Sequence, residues 1–245
     1  MPGRPQLPSG YLSANQLPDS SKLLPAPPAA GSAAKAADED IHRQAAALRG
    51  TPRWDLAAQD ANLGPDALRA FSCAVGLELS EKQTPATIKL LRGATSDTAR
   101  STDAAKNLYK RVRPFVEHDE STCYAPQEPM LRNNGSYPSG HTAFGWGAAL
   151  VLTQVVPERA GQILARGRAF GESRLVCNAH WQSDVVQARF IAASTIARLQ
   201  SVPQFQRDVA AASREIAAVR KRGADPAQNC EAEARALAQS IPGAQ

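Results

Sequence analysis

Residues 173–184 read SRLVCNAHWQSD. The run before them, Pro157–Gly171, has helical periodicity, and so does the run that follows, Ser183–Gln200. The string therefore sits where one helix hands over to the next. His180 and Asp184 are four residues apart. With a helix starting near Trp181, Asp184 reaches back to accept a hydrogen bond from one imidazole nitrogen of His180. That bond fixes the tautomer and makes the other nitrogen a better nucleophile or base. Arg174 lies just upstream, where it can join an anion clamp. Alone, the pair reads equally as a hydrogen bond closing a helix start.

Working outward, Asn133, Asn134 and Gly135 signal a loop, and Pro138-Ser139-Gly140-His141 follows it. The string precedes a Gly/Ala-rich apolar run, Thr142–Val156, expected to be a buried helix. Unpaired N–H groups and the positive dipole end at such a start favour anions, and glycine lets a ligand come close to the backbone. Ser139 adds a hydroxyl, and His141 stands at the pocket edge. The plainer alternative is a capped helix start. Further upstream, KNLYKRVRP (106–114) separates Lys106 from Arg113 by seven residues. The spacing predicts one helix over Asp97–Val112, stopped by Pro114, with both cations on nearly the same face and about 10 Å of rise between them. A guanidinium fork and an ammonium both suit phosphate. With Lys110 and Arg111 beside them, a solvated basic face is the alternative.

Taken together the strings divide the labour. His180 has a carboxylate partner and suits attack; His141 has none and suits a general acid at mildly acid pH. Three cations and a helix N-terminus can neutralise the charge of a phosphoryl group.

The pattern K-x6-RP, PSGH, SR-x5-H-x3-D resembles the PAP2 phosphatase superfamily. The wider text, with YLSANQLPDS (11–20), NGSYPSGHTAFGW (134–146) and ESRLVCNAHWQSDV (172–185), is similar to its soluble branch, the bacterial class A non-specific acid phosphatases. The resemblance implies that His180 forms a phosphohistidine, Asp184 orients it and His141 protonates the leaving group. It assigns Lys106, Arg113, Ser139, Gly140 and Arg174 to the phosphate oxygens. It further implies a single-domain, all-α helical bundle, no metal or other cofactor, and a periplasmic or secreted homo-oligomer. Substrates would be phosphate monoesters of broad type (nucleotides, aryl and sugar phosphates), with phosphate or vanadate as pocket ligands and possible phosphotransferase activity. One departure stands out: relatives often read D-x-x-A-G-R, whereas residues 184–189 read DVVQAR, which bears on helix packing. Vanadium haloperoxidases have a similar anion pocket, but their chains are generally much longer.

Composition agrees with the all-α expectation. Alanine is abundant, aromatics are few, and alternating strand runs are absent. Further helices are expected over Ala37–Leu48, Asp66–Leu77, Pro85–Leu91, Phe205–Arg220 and Ala227–Gln239. Residues 1–35, rich in Pro, Ser and Ala, are expected to form an extended or disordered arm, with the helical domain over 36–245. MPGRPQLPSG lacks the apolar core of a signal peptide. No run reaches the roughly 18 to 20 apolar residues that span a bilayer. The net charge of +5 suits anionic partners, but nothing resembles a nucleic-acid-binding fold or stacking platform. Cys73, Cys123, Cys177 and Cys230 contain no C-x-x-C pair, so they read as two disulfides in any of three pairings, or as buried thiols. His42 and His118 are expected at the surface and in a charged loop.

Overall fold

The computed structural model describes residues 9–223, 225 and 229–243. Its longer helices are α1 (Ala33–Ala46), α2 (Pro52–Ala61), α3 (Pro85–Arg100), α4 (Asp103–Tyr109), α5 (Gly140–Val155), α6 (Ala160–Val176), α7 (Gln182–Leu199), α8 (Pro203–Lys221) and α9 (Cys230–Leu237). No strand occurs among the described residues, so the protein is all-α as expected. None of the described helices is long and apolar enough to cross a membrane.

Helix α5 is the axis of the fold, with α3, α6, α7 and α8 packed around it. Its sequence explains this. GHTAFGWGAALVLTQV carries no charge, and Ala148, Ala149, Val151 and Leu152 are fully buried. A helix apolar on all sides has to be surrounded. Its small residues set the spacing: a Cβ at Gly145 would stand 2.4 Å from the Phe170 ring of α6. The ring therefore lies directly on the α5 backbone, and α5 and α6 run in close contact. Phe170 in turn stacks on Phe71, whose ring centroid is 6.0 Å away.

Several boundaries differ from expectation. The expected helices Pro85–Leu91 and Asp97–Val112 are divided at a different point. α3 continues through Gly93 to Arg100, and the break falls at Ser101–Thr102. Gly93 seats the Tyr11 ring, since a Cβ there would be 2.6 Å from it. α4 then ends at Lys110, which takes a left-handed conformation at φ 44°. Asp66–Leu77 is a 3-10 turn (Ala67–Phe71) running into one α-turn (Ser72–Val75), closed by Gly76 at φ 82°. Pro157 opens a 3-10 turn, and α6 extends past Gly171 to Val176. Residues 227 and 228 of the expected Ala227–Gln239 helix lie outside the described residues.

Residues 1–8 of the expected arm also lie outside the described residues. From Ser9 onward the segment is bound to the bundle. The buried Asp97 carboxylate accepts from Tyr11 N (2.8 Å) and Leu12 N (3.1 Å), and Tyr11 Oη donates to Asp208 (2.8 Å). Ser20 Oγ accepts from Ala105 N at 3.0 Å, and Leu24 packs with Ala105, Tyr137 and Ile191. Disulfides join Cys73 to Cys230 and Cys123 to Cys177. The second ties the residue just past α6 to the loop after Glu117, and Cys123 N donates to Cys177 O at 3.2 Å beside it.

Candidate active site

The three strings meet at one end of α5. Ser139 caps that helix, its Oγ accepting from Thr142 N at 3.2 Å, and Ser139 N donates to Asp184 O at 3.0 Å. The second bond fixes the PSGH turn directly to the start of α7. On the far side, Ala179 N and His180 N both donate to the Arg174 carbonyl, at 3.0 and 3.3 Å. The end of α6 thereby folds over and presents His180.

His180 is buried, with Nδ1 3.2 Å from Asp184 Oδ2. The same Asp184 oxygen accepts from Trp181 N at 2.9 Å, so the carboxylate is held by the first turn of its own helix. Arg113 Nη1 lies 2.9 Å from His180 Nε2. A guanidinium only donates, so Nε2 is the lone-pair nitrogen and the ring proton sits on Nδ1 facing Asp184. That tautomer leaves Nε2 as the nucleophilic atom. Burial, then Arg113, Lys106 and Arg174, hold the imidazole well below its ordinary pKa, which keeps it neutral.

Arg113 does not share a helix with Lys106, contrary to the expectation of two cations on one helical face. α4 ends first, and Arg113 is extended (φ −83°, ψ 152°) ahead of Pro114, as a residue before proline prefers. Its Nε donates to Leu131 O (3.0 Å) and its Nη1 to Ala179 O (2.9 Å). Lys106 Nζ donates to Gly135 O (3.0 Å) and Ser136 O (3.2 Å), so it approaches the same loop from α4. Arg174 is fully buried, and its Nε and Nη1 have no hydrogen-bond partner among the described residues. Burial depresses Arg113 to about 9 and Arg174 to about 10. The unused donors of Arg174, beside the buried Arg113 and Lys106, form a receptor for a multiply charged oxyanion. An open cleft of ≈ 1060 Å³, bordered by Lys106, Arg113 and Asn134 among others, reaches this cluster.

His141, expected without a carboxylate partner, is held by the backbone: its Nε2 lies 3.0 Å from the carbonyl of Ala61, the last residue of α2. The carbonyl makes Nε2 the donor, and Nδ1 is the atom left for a ligand. Burial and Arg174 push His141 well below its ordinary value, while the Ala61 bond pulls the other way.

Alignment with known proteins bears on what this cluster belongs to. Residues 87–208 match the model of the PAP2 superfamily. The chain is 42% identical to a non-specific acid phosphatase of Providencia stuartii over 86% of each chain. It is 43% identical to one of Salmonella typhimurium over 81% of this chain and 80% of that one. An acid phosphatase of Zymomonas mobilis is 40% identical over 79% of this chain and 74% of that one. The chain belongs to the PAP2 superfamily.

Lys106, Arg113, Ser139, Gly140, His141, Arg174, His180 and Asp184 all fall inside the PAP2 match. The structure brings their elements to one end of α5. At the position where the resemblance leads one to expect glycine, Ala188 is fully buried against Ala143 and Ala192, so its methyl is accommodated. Two contributors fall outside the match: Ala61, and Asp38 on α1, which is 2% exposed. A third, Arg111, lies inside it but reads as part of a basic run. Its Nη1 donates to Asp184 Oδ1 (2.7 Å) and its Nη2 to Asp38 Oδ2 (2.6 Å). The available signal was the spacing of RVRP. On the extended backbone that proline imposes, residues i and i+2 project to the same side. His42, expected at the surface, has only 11% of its side chain exposed and stacks on the His118 ring.

Proposed function

We propose that this protein is an acid phosphatase that hydrolyses a broad range of phosphate monoesters through a phosphohistidine. The observation that carries the reading is the His180 geometry: Nδ1 is committed to Asp184, and Nε2 faces Arg113 beside the unpartnered donors of Arg174. Phosphate oxygens would take the donors of Arg113 and Arg174, the Lys106 ammonium and the N–H groups at the start of α5, among them Gly140. His180 Nε2 attacks phosphorus, the P–O bond to the leaving group breaks, and the departing oxygen takes a proton from His141. Water then attacks the phosphohistidine, giving its proton to His141, and phosphate leaves with Nε2 restored. An alcohol in place of water yields phosphotransfer.

Both histidines are held neutral by burial and, after it, by the surrounding cations. An arriving phosphate supplies the opposite charge, and His141 can then gain the proton it delivers, with the Ala61 carbonyl supporting the imidazolium. The family resemblance supports a periplasmic or secreted setting, and the two disulfides suit an oxidising one. It also supports a homo-oligomer. Exposed Leu23, Leu108, Val112, Val186 and Phe190 offer apolar surface for such contacts. The test is release of nitrophenol from p-nitrophenyl phosphate at acid pH, with rapid-quench capture of an acid-labile phosphoenzyme. Nitrophenol release without a phosphoenzyme in the parent protein would exclude the covalent route.

A further inference from the structure

Asp184 is not the end of the chain of contacts behind His180. Its Oδ2 faces His180 Nδ1, and its Oδ1 accepts from Arg111 Nη1 at 2.7 Å. The same Nη1 donates to Ser183 Oγ at 2.7 Å, and Nη2 donates to Asp38 Oδ2 at 2.6 Å. Asp38 in turn accepts from Ser183 N (2.8 Å) and Ser183 Oγ (2.6 Å). The side chains of Asp38, Arg111 and Asp184 are 2%, 9% and 0% exposed, so the attraction between them is little screened by solvent. Two buried carboxylates thus grip one guanidinium by separate arms.

We propose that Arg111, clamped between Asp184 and Asp38, is a positioning residue that keeps His180 in the neutral form able to attack phosphorus in acid solution. The inference rests on the reading of His180 as nucleophile. A carboxylate facing an imidazole favours imidazolium, which has no lone pair to attack with. That is a liability for an enzyme working below neutral pH. Arg111 draws on the other oxygen of the same carboxylate and weakens its hold on the proton. Asp38 sets how strongly Arg111 does so, because it balances the guanidinium charge from the far side. Asp184 can then orient the ring without charging it.

Other charges act on the same ring. Lys106, Arg113, Arg174 and His141 face His180 from α4, the extended segment, α6 and α5, and Asp184 is the anion opposed to them. The Arg111 guanidinium lies 5.4 Å from the centre of the Trp181 ring, and Lys35 Nζ lies 3.6 Å from it. His42 and His118 stand beside the same indole, partnered by Glu120 and Glu39. None of these has the placement of Arg111, which bonds directly to the carboxylate that orients the nucleophile.

The experiment compares pH profiles of kcat/KM for the parent, Arg111→Met and Asp38→Asn on p-nitrophenyl phosphate. Activity on the acid limb requires deprotonated His180. Removing the cation should move that limb to higher pH, with roughly tenfold loss at its acid end for each unit moved. Removing the balancing anion should leave the limb in place or move it to lower pH. Arg111→Lys, which keeps the charge, should stay closer to the parent than Arg111→Met. Opposite responses of the two sites support the proposal. An unmoved limb in Arg111→Met, or shifts of the same sign in both, overturns it, because a merely structural clamp would depress activity at every pH. If Arg111→Met does not fold, imidazole NMR of His180 in phosphate-free Asp38→Asn decides. Titration at or below the parent's pH supports the proposal, and titration above it overturns it. A parent with no phosphatase activity would instead refute the reading of the site, and the NMR titration would still test the clamp.

Discussion

His141 Nε2 sits 3.0 Å from the carbonyl of Ala61, so the proposed acid is oriented by the C-terminal end of α2. Helix C-termini favour cations, so the contact supports an imidazolium once phosphate is bound. His141→Gln keeps a donor for Ala61 but has no transferable proton. It should lower kcat by about 10²–10⁴ on alkyl phosphates, the usual worth of a general acid. The loss should be much smaller on p-nitrophenyl phosphate, whose leaving group needs little protonation. Equal losses on both would rule out His141 as the acid.

Arg174 leads to a trade of stability against function. A buried guanidinium with unused donors is costly to keep. Arg174→Met fills similar space without the charge. It should abolish most phosphate binding while stabilising the phosphate-free fold by about 1–3 kcal/mol. Denaturant melts with and without phosphate check both halves, and a less stable variant would contradict the account.

The depressed histidines set a pH dependence of stability. His141 and His180 have folded-state pKa values well below the ordinary 6.5. The unfolded chain therefore binds more protons as pH falls through 6.5, and stability present above that pH is progressively lost below it. Each such group costs about 1.4 kcal/mol per pH unit in that window. Buried Asp97 and half-buried Glu233 are shifted upward by desolvation and act in the opposite sense. The measurement is therefore a comparison: His141→Asn should lose less stability than the parent between pH 6.5 and 5, and inorganic phosphate should narrow the parent's loss.

The Cys123–Cys177 bridge spans 54 residues and ends three positions before His180. Closing a loop of that length is worth about 4 kcal/mol in the chain-entropy estimate. The double variant Cys123→Ala/Cys177→Ala should show a loss of that order in guanidinium melts. Activity should fall further than stability alone explains, because the turn presenting His180 is released from the loop around Cys123.

The all-α class could be read from sequence because helical periodicity is a local property, and the three strings that meet at one end of α5 stand out because spacings such as H-x3-D are local too. Lys106 and Arg113 both reach the loop at Gly135, but from a helix and an extended segment rather than from one helical face. A helix was extended through Lys110 although the proline after Arg113 already called for extended backbone there. The gap expected between Leu91 and Asp97 is absent from the structure, and the ring that rests on Gly93 within it, that of Tyr11, comes from a distant part of the chain. Asp38 and Ala61 carry no local signature. An aspartate on an amphipathic helix and a backbone carbonyl gain their roles only when tertiary packing brings them to Arg111 and His141.

The contacts made by Tyr11 bear on the order of synthesis. Its hydroxyl reaches Asp208, 197 residues along the chain, and Cys73 waits for a partner 157 residues later. A chain emerging from its N-terminus first cannot close either link until Asp208 and Cys230 have been delivered. Non-local closures of this kind slow folding. The N-terminal segment can meet Asp97 and Ala105 by mid-chain, but its hydroxyl link to Asp208 and the bridge from Cys73 fasten only when the late helices appear.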